Sequence, residues 1–143
     1  MARAEIIASL ALLVSIAAFS LSAFNAARDR AKLVVKSKGW AGSEYGEAGL
    51  RITIVNAGRR PIVLRMLVAV TGPNSWYGEY LGDHKSGLRL GEREHHEISW
   101  HKHDMLGGPE GDELALDLLV EDSLGNRYPV VDAKTNLEAL LAG

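Results

Sequence analysis

The chain contains no cysteine among its 143 residues, which excludes a disulfide framework, a thiol nucleophile and any zinc site built on thiolates. Its net charge of −2 gives no overall attraction for nucleic acid. No Walker A loop, dinucleotide fingerprint, HExxH helix or N-x-[ST] acceptor occurs, and no Gly-x-Ser-x-Gly elbow accompanies the scattered serines. Nucleophilic catalysis therefore has no support. No cofactor, nucleic acid or small-molecule substrate is expected. There is no internal repeat, and the length allows one ordinary domain plus an appendage.

What is present is unevenly distributed. Arg28 to Lys38 holds five basic residues (Arg28, Arg30, Lys32, Lys36, Lys38) against the single acid Asp29, whereas Asp104 to Asp122 holds seven acids and no Lys or Arg. Before the basic stretch, Ile6 to Phe24 forms an uncharged run of 19 residues without Gly or Pro. At 1.5 Å per residue, a helix of that length approaches the ~30 Å thickness of a bilayer's hydrocarbon core. A membrane-spanning helix is predicted, with Ile6, Leu10, Leu13, Leu21 and Phe24 among its apolar side chains.

A cleaved signal peptide fits less well. Its apolar region is normally only ~7–15 residues long and follows a purely basic start, which Glu5 interrupts here. The surplus of basic residues after the helix puts the following domain in the cytoplasm, and the basic stretch can rest on anionic headgroups. Ala8, Ala11, Ser15, Ala18 and Ser22 recur at alternating spacings of three and four, so they share one stripe of the helix. Small stripes let helices approach closely in lipid, so self-association or a partner helix is expected.

After the helix the pattern changes to the two-residue alternation of half-buried strands. Strands are predicted at Leu33 to Lys38, Leu50 to Asn56, Ile62 to Thr71, Trp76 to Leu81, Leu88 to Leu90, Glu94 to His101, Leu114 to Glu121 and Arg127 to Val131. The tail Asp132 to Leu141 reads as a short helix capped by Asp132 or by Thr135. Many short strands without long helices between them indicate an antiparallel sandwich or barrel. The expected fold is mainly β: a transmembrane-type helix over 1–27, a basic segment over 28–38, an antiparallel immunoglobulin-like β-sandwich over 39–131 and a short C-terminal helix or tail over 132–143.

The apolar span, the basic stretch and the run Leu50-Arg-Ile-Thr-Ile-Val-Asn-Ala-Gly-Arg-Arg-Pro-Ile62 together resemble small bacterial and phage-encoded single-pass membrane proteins with an immunoglobulin-like domain. Leu88-Arg-Leu-Gly-Glu92 and Asp122-Ser-Leu-Gly-Asn-Arg-Tyr128 fit the same pattern. The resemblance covers most of the chain, through turn and strand signals, and implies a fold rather than a reaction.

The most unusual cluster is Glu94 to Asp104, with four of the five histidines. As a strand it places His95, Glu97, Ser99, His101 and His103 on one face, opposite His96, Ile98 and Trp100. His95, His101 and His103 are weak metal candidates, with Glu97 or Asp104 as a third ligand; exposed polar residues on a solvent face are the simpler reading. Collective charging of the imidazoles on mild acidification is a lesser alternative. The acidic run Gly107 to Glu113 lacks the alternating ligands of an EF-hand loop. The Gly-rich connections Gly39 to Gly49 and Gly72 to Gly87 carry Trp40, Tyr45, Trp76, Tyr77 and Tyr80, which can serve recognition or cover the ends of a core.

The function expected is that of a non-enzymatic membrane-anchored interaction or structural protein, in contact with lipid and with a protein partner. The main alternative is a component of a viral particle or cell-envelope assembly whose apolar helix packs among protein copies. A metal-dependent hydrolase using the His95 to Asp104 cluster comes third.

Overall fold

A computed structural model describes residues 2–29, 31–43, 46–101 and 114–142. The chain forms two compact units, Met1–Arg30 and Ala31–Gly143. The first is helix α1, Ala2–Arg28. Its Ala- and Leu-rich sequence favours the helical state, and no Gly or Pro interrupts it. Its serines return their hydroxyls to the backbone one turn earlier: Ser9 donates to the Glu5 carbonyl, Ser15 to Ala11 and Ser20 to Ile16, each at 2.8 Å.

The second unit is an antiparallel β-rich body closed by a short helix. Its strands are β1 Leu33–Trp40, β2 Gly49–Asn56, β3 Ile62–Val70, β4 Trp76–Tyr80, β5 Leu88–Leu90, β6 His95–His101, β7 Asp117–Asp122 and β8 Arg127–Pro129, and the helix is α2, Ala133–Ala142. One sheet runs β1-β2-β6 and the other β4-β3-β7-β8, with β5 also paired to β3. β4 and β5 share one edge of β3 in turn: β5 pairs with Ile62 to Leu64 and β4 with Met66 to Val70. The chain returns between them through Gly87, whose φ of 69° and position against the Leu64 carbonyl leave no room for a side chain.

The core lies between the sheets. Leu50, Ile52 and Ile54 of β2, Leu64 and Leu67 of β3, and Leu118 and Val120 of β7 are all at most 1 % exposed. Ala133, Leu137 and Leu140 of α2 complete the cluster. β3 is apolar on both faces because a bulge at Arg65 shifts its register against β7 between Leu64 and Met66. Ile62 and Leu64 point into the core before the bulge and Leu67 and Ala69 after it, which turns Met66 and Val68 outward.

Polar hubs hold the ends. Asn56 is 0 % exposed, and its amide donates to the carbonyls of Arg60, Leu90 and Gly91 while its carbonyl oxygen accepts from Gly58 N–H. Asp122 accepts from the N–H groups of Leu124 and Asn126, the Asn126 amide and the Tyr128 hydroxyl. Burial pushes its carboxyl upward, but these hydrogen bonds outweigh burial and hold it below the usual carboxylate range.

Several boundaries differ from the sequence expectation. β7 starts at Asp117 rather than Leu114, although Leu116 N–H still donates to the Val70 carbonyl. β8 ends at Pro129, although Val130 N–H still donates to the Leu118 carbonyl, and Val131 makes a parallel bridge to Lys36 of β1. Asp132 stands at the N-cap position of α2, its backbone carbonyl accepting the Asn136 N–H, but with φ 62° rather than the extended backbone usual there; Thr135 lies within the helix.

Candidate functional site

Within α1, Arg3–Ala26 is a 24-residue candidate span whose most apolar window has a mean hydropathy of 2.3. It measures about 36 Å along the axis, long enough to cross a bilayer. None of its most apolar window is buried, and Ile6, Leu10, Leu13, Leu21 and Phe24 are 56–65 % exposed. The small-residue positions Ala8, Ala11, Ser15, Ala18 and Ser22 are exposed too. Of these, Ser15 already has its hydroxyl satisfied by Ala11, so close approach of another helix strands no donor there.

The basic residues that follow divide between segments. Lys32 is exposed before β1, and Lys36 and Lys38 stand exposed on β1 itself. Arg30 and the Arg28 side chain lie outside the described residues.

β6 follows its expected alternation. His95, Glu97, Ser99 and His101 are exposed, whereas His96 and Ile98 are half-buried and Trp100 is buried. His95 and His101 stand six residues apart, about 20 Å along an extended strand, too far to share one ion in a single chain. No group of three His, Asp or Glu side chains gathers at metal-binding distance among the described residues. His101 packs edge-on against Trp40, with ring centroids 5.8 Å apart at 86°. His103, Asp104 and the acidic run 107–113 lie outside the described residues, as does Tyr45.

Compared with known proteins, the chain matches no family model, no curated protein and no solved structure. Its exposed surfaces must be read from their own chemistry.

Trp40, expected in the Gly39 to Gly49 connection, lies on β1, while Trp76, Tyr77 and Tyr80 lie on β4, within the strand predicted from Trp76 to Leu81. Trp40 ends β1, because Gly49 directly across on β2 leaves its indole a bare backbone to lie against. Its Nε1–H donates to the Glu47 carbonyl at 2.8 Å, and the ring lines a cleft of about 530 Å³ with Gly39, Gly49, Asn136 and Leu140. On β4, Trp76 and Tyr80 face outward, 49 % and 40 % exposed. Tyr77 is half-buried, with its hydroxyl pushed up by burial and by the charge of Glu79. Glu79 in turn accepts the Trp100 indole N–H at 3.0 Å, joining β4 to β6 across the open side of the body.

Sequence reading had no means of finding the Arg127 group. The Arg127 guanidinium sits 5.0 Å above the Trp76 ring while its Nε donates to Glu121 at 2.9 Å, spanning the outer face of the larger sheet from β8 toward β4. The contributing residues are 45 to 51 positions apart from Trp76 in sequence, and only strand order brings them together.

Proposed function

We propose that this protein is a non-enzymatic membrane-anchored module, whose N-terminal helix holds an immunoglobulin-like domain at a membrane surface for contact with a protein partner. The observation that carries the reading is α1: a 24-residue apolar stretch with none of its most apolar window buried. A continuous apolar surface of that size calls for lipid or protein cover, since monomeric soluble proteins rarely expose more than a few hundred Å² in one patch.

The immunoglobulin-like part draws support from the wiring. β1, β2 and β6 occupy the positions of strands A, B and E, and β3, β7 and β8 those of C, F and G, with β4 flanking C. Aliphatic side chains of β2 and β7 stand where antibody domains place a disulfide, and the buried Trp100 is on β6 rather than on the C strand. Partner contact is supported by Trp76, Tyr80 and Arg127 on one outer face, residue types enriched where protein interfaces bind most strongly. The basic surplus after α1 supports a cytoplasmic position for the domain.

Fractionation tests the anchor. The chain should stay with membranes through high salt and alkaline carbonate and should leave them only in detergent; release by carbonate alone would overturn the reading. The small-residue stripe favours a second reading, in which α1 packs among copies within a viral particle or cell-envelope assembly. In that case the chain co-purifies in fixed stoichiometry with its assembly whether or not detergent is present.

A further inference from the structure

We propose that the outer face of the β1-β2-β6 sheet docks on anionic lipid headgroups, so that the domain lies down on the membrane its helix crosses. The inference rests on the anchored reading above. The face is built by register. Lys36, Thr53 and Glu97 form one cross-strand row, Lys38, Arg51 and Ser99 the next, and Trp40, Gly49 and His101 the third. All point away from the core because Val35, Leu50, Ile52, Ile54 and Trp100 alternate inward.

Lys38 and Arg51 stand directly opposite one another, an arrangement of like charges that costs the folded state rather than helping it. Lys36 lies about 7 Å further along the same face of β1. Among the described residues Lys36, Lys38 and Arg51 make no ion pair. The one acid in these rows, Glu97, is approached by the Thr53 hydroxyl at 3.5 Å. Among the described residues the surface is therefore net cationic and exposed, with Glu97 as the one acid in its rows.

Its shape and position select the occupant. Thr53, Ser99 and the bare Gly49 are short, so Lys36, Lys38 and Arg51 stand above these neighbours and can meet a broad flat array of phosphates. Trp40, at one end, is a residue type that settles at headgroup level. β1 begins at Leu33, only four residues after α1 ends at Arg28, so any membrane holding the helix stays at high effective concentration for this face. A freely diffusing acidic protein or nucleic acid has no such advantage.

The absence of native cysteine allows single-site labelling. A polarity-sensitive fluorophore on Ser99→Cys reports on the middle row, and one on Leu124→Cys, at a loop position 85 % exposed, serves as reference. The full chain is reconstituted into vesicles of phosphatidylcholine, or of an equal mixture with phosphatidylserine, each carrying headgroup quenchers. Stronger quenching at Ser99 than at Leu124 is expected in the anionic vesicles only, and it should fade in high salt. Each basic residue near an anionic surface gives about a five-fold preference, so Lys38→Gln with Arg51→Gln should lower the docked-to-free ratio about thirty-fold. Quenching at Ser99 that is the same in both vesicle types, or unmoved by the double substitution, overturns the proposal. Flotation of the same samples in high salt separates the two readings. Protein that floats in high salt but showed no selective quenching at low salt refutes docking alone, and protein that leaves the vesicles refutes the anchor and docking together.

Discussion

Replacing Asn56 should cost the β body more than any surface substitution in it. The side chain is 0 % exposed and takes part in four hydrogen bonds of 2.8–3.1 Å, three donated to backbone carbonyls and one accepted from Gly58 N–H. Its own backbone N–H and C=O bond Glu94 and Arg93, so one residue ties the β2–β3 turn to the β5–β6 turn. At about 1 kcal/mol net per bond, with the Leu90 carbonyl and the Gly58 N–H left buried and unpaired, Asn56→Ala should lose about 3–5 kcal/mol. For a unit of this size that is a fall of roughly 12–20 °C in Tm. Urea unfolding of the full chain in detergent, followed by fluorescence of the buried Trp100, isolates the body from the micelle-protected helix. Asn56→Leu, which keeps the volume, should not rescue stability, and Asn56→Asp should do no better because a charge would sit among carbonyl oxygens. A loss below about 1 kcal/mol for Asn56→Ala would refute the accounting.

Other perturbations have equally specific outcomes. Gly49→Ala should destabilise by about 1–3 kcal/mol in the same assay, since a Cβ there runs into the Trp40 indole and the Trp100 carbonyl. The depressed Asp122 carboxyl contributes stability that is fully present above its unfolded pKa of about 4 and lost as pH falls through its lower folded value. Asp122→Asn should therefore flatten the acid limb of a stability-against-pH curve below about pH 4, and an unchanged limb would reject that assignment. Disulfide crosslinking in membranes should be stronger from Ser15→Cys than from Leu13→Cys if the small stripe mediates helix association, and equal yields would count against it.

The alternation of apolar residues made most elements legible from sequence, because a half-buried strand must place every second side chain in the core. Leu50, Ile52 and Ile54 announce β2, and the stretch Ile6 to Phe24 announces α1. β3 was legible as a strand but not as one that changes face, since the bulge at Arg65 depends on its fit to β7 rather than on any local turn signal. Trp40 looked like a loop residue because Gly39, Gly42 and Gly46 surround it. It extends β1 because Gly49 across the ladder makes room for its ring. Asp132 was legible as the residue that precedes α2, whereas its left-handed backbone was not.

Cross-strand neighbours lay furthest beyond the sequence, and they decide which surface is left for a partner to cover. The outer face of the larger sheet partly covers itself: Met66 lies against the bare backbone of Gly78, Arg127 roofs Trp76, and Glu121 neutralises Arg127. Met66 and Val68 are consequently buried although they point outward. On the smaller sheet, the same register rules set Lys38 opposite Arg51 with no acid in their row. Two faces of one body, built by the same alternation, thus differ in whether their charge is met internally. The face left unbalanced includes β1, the strand that follows the apolar helix in the chain.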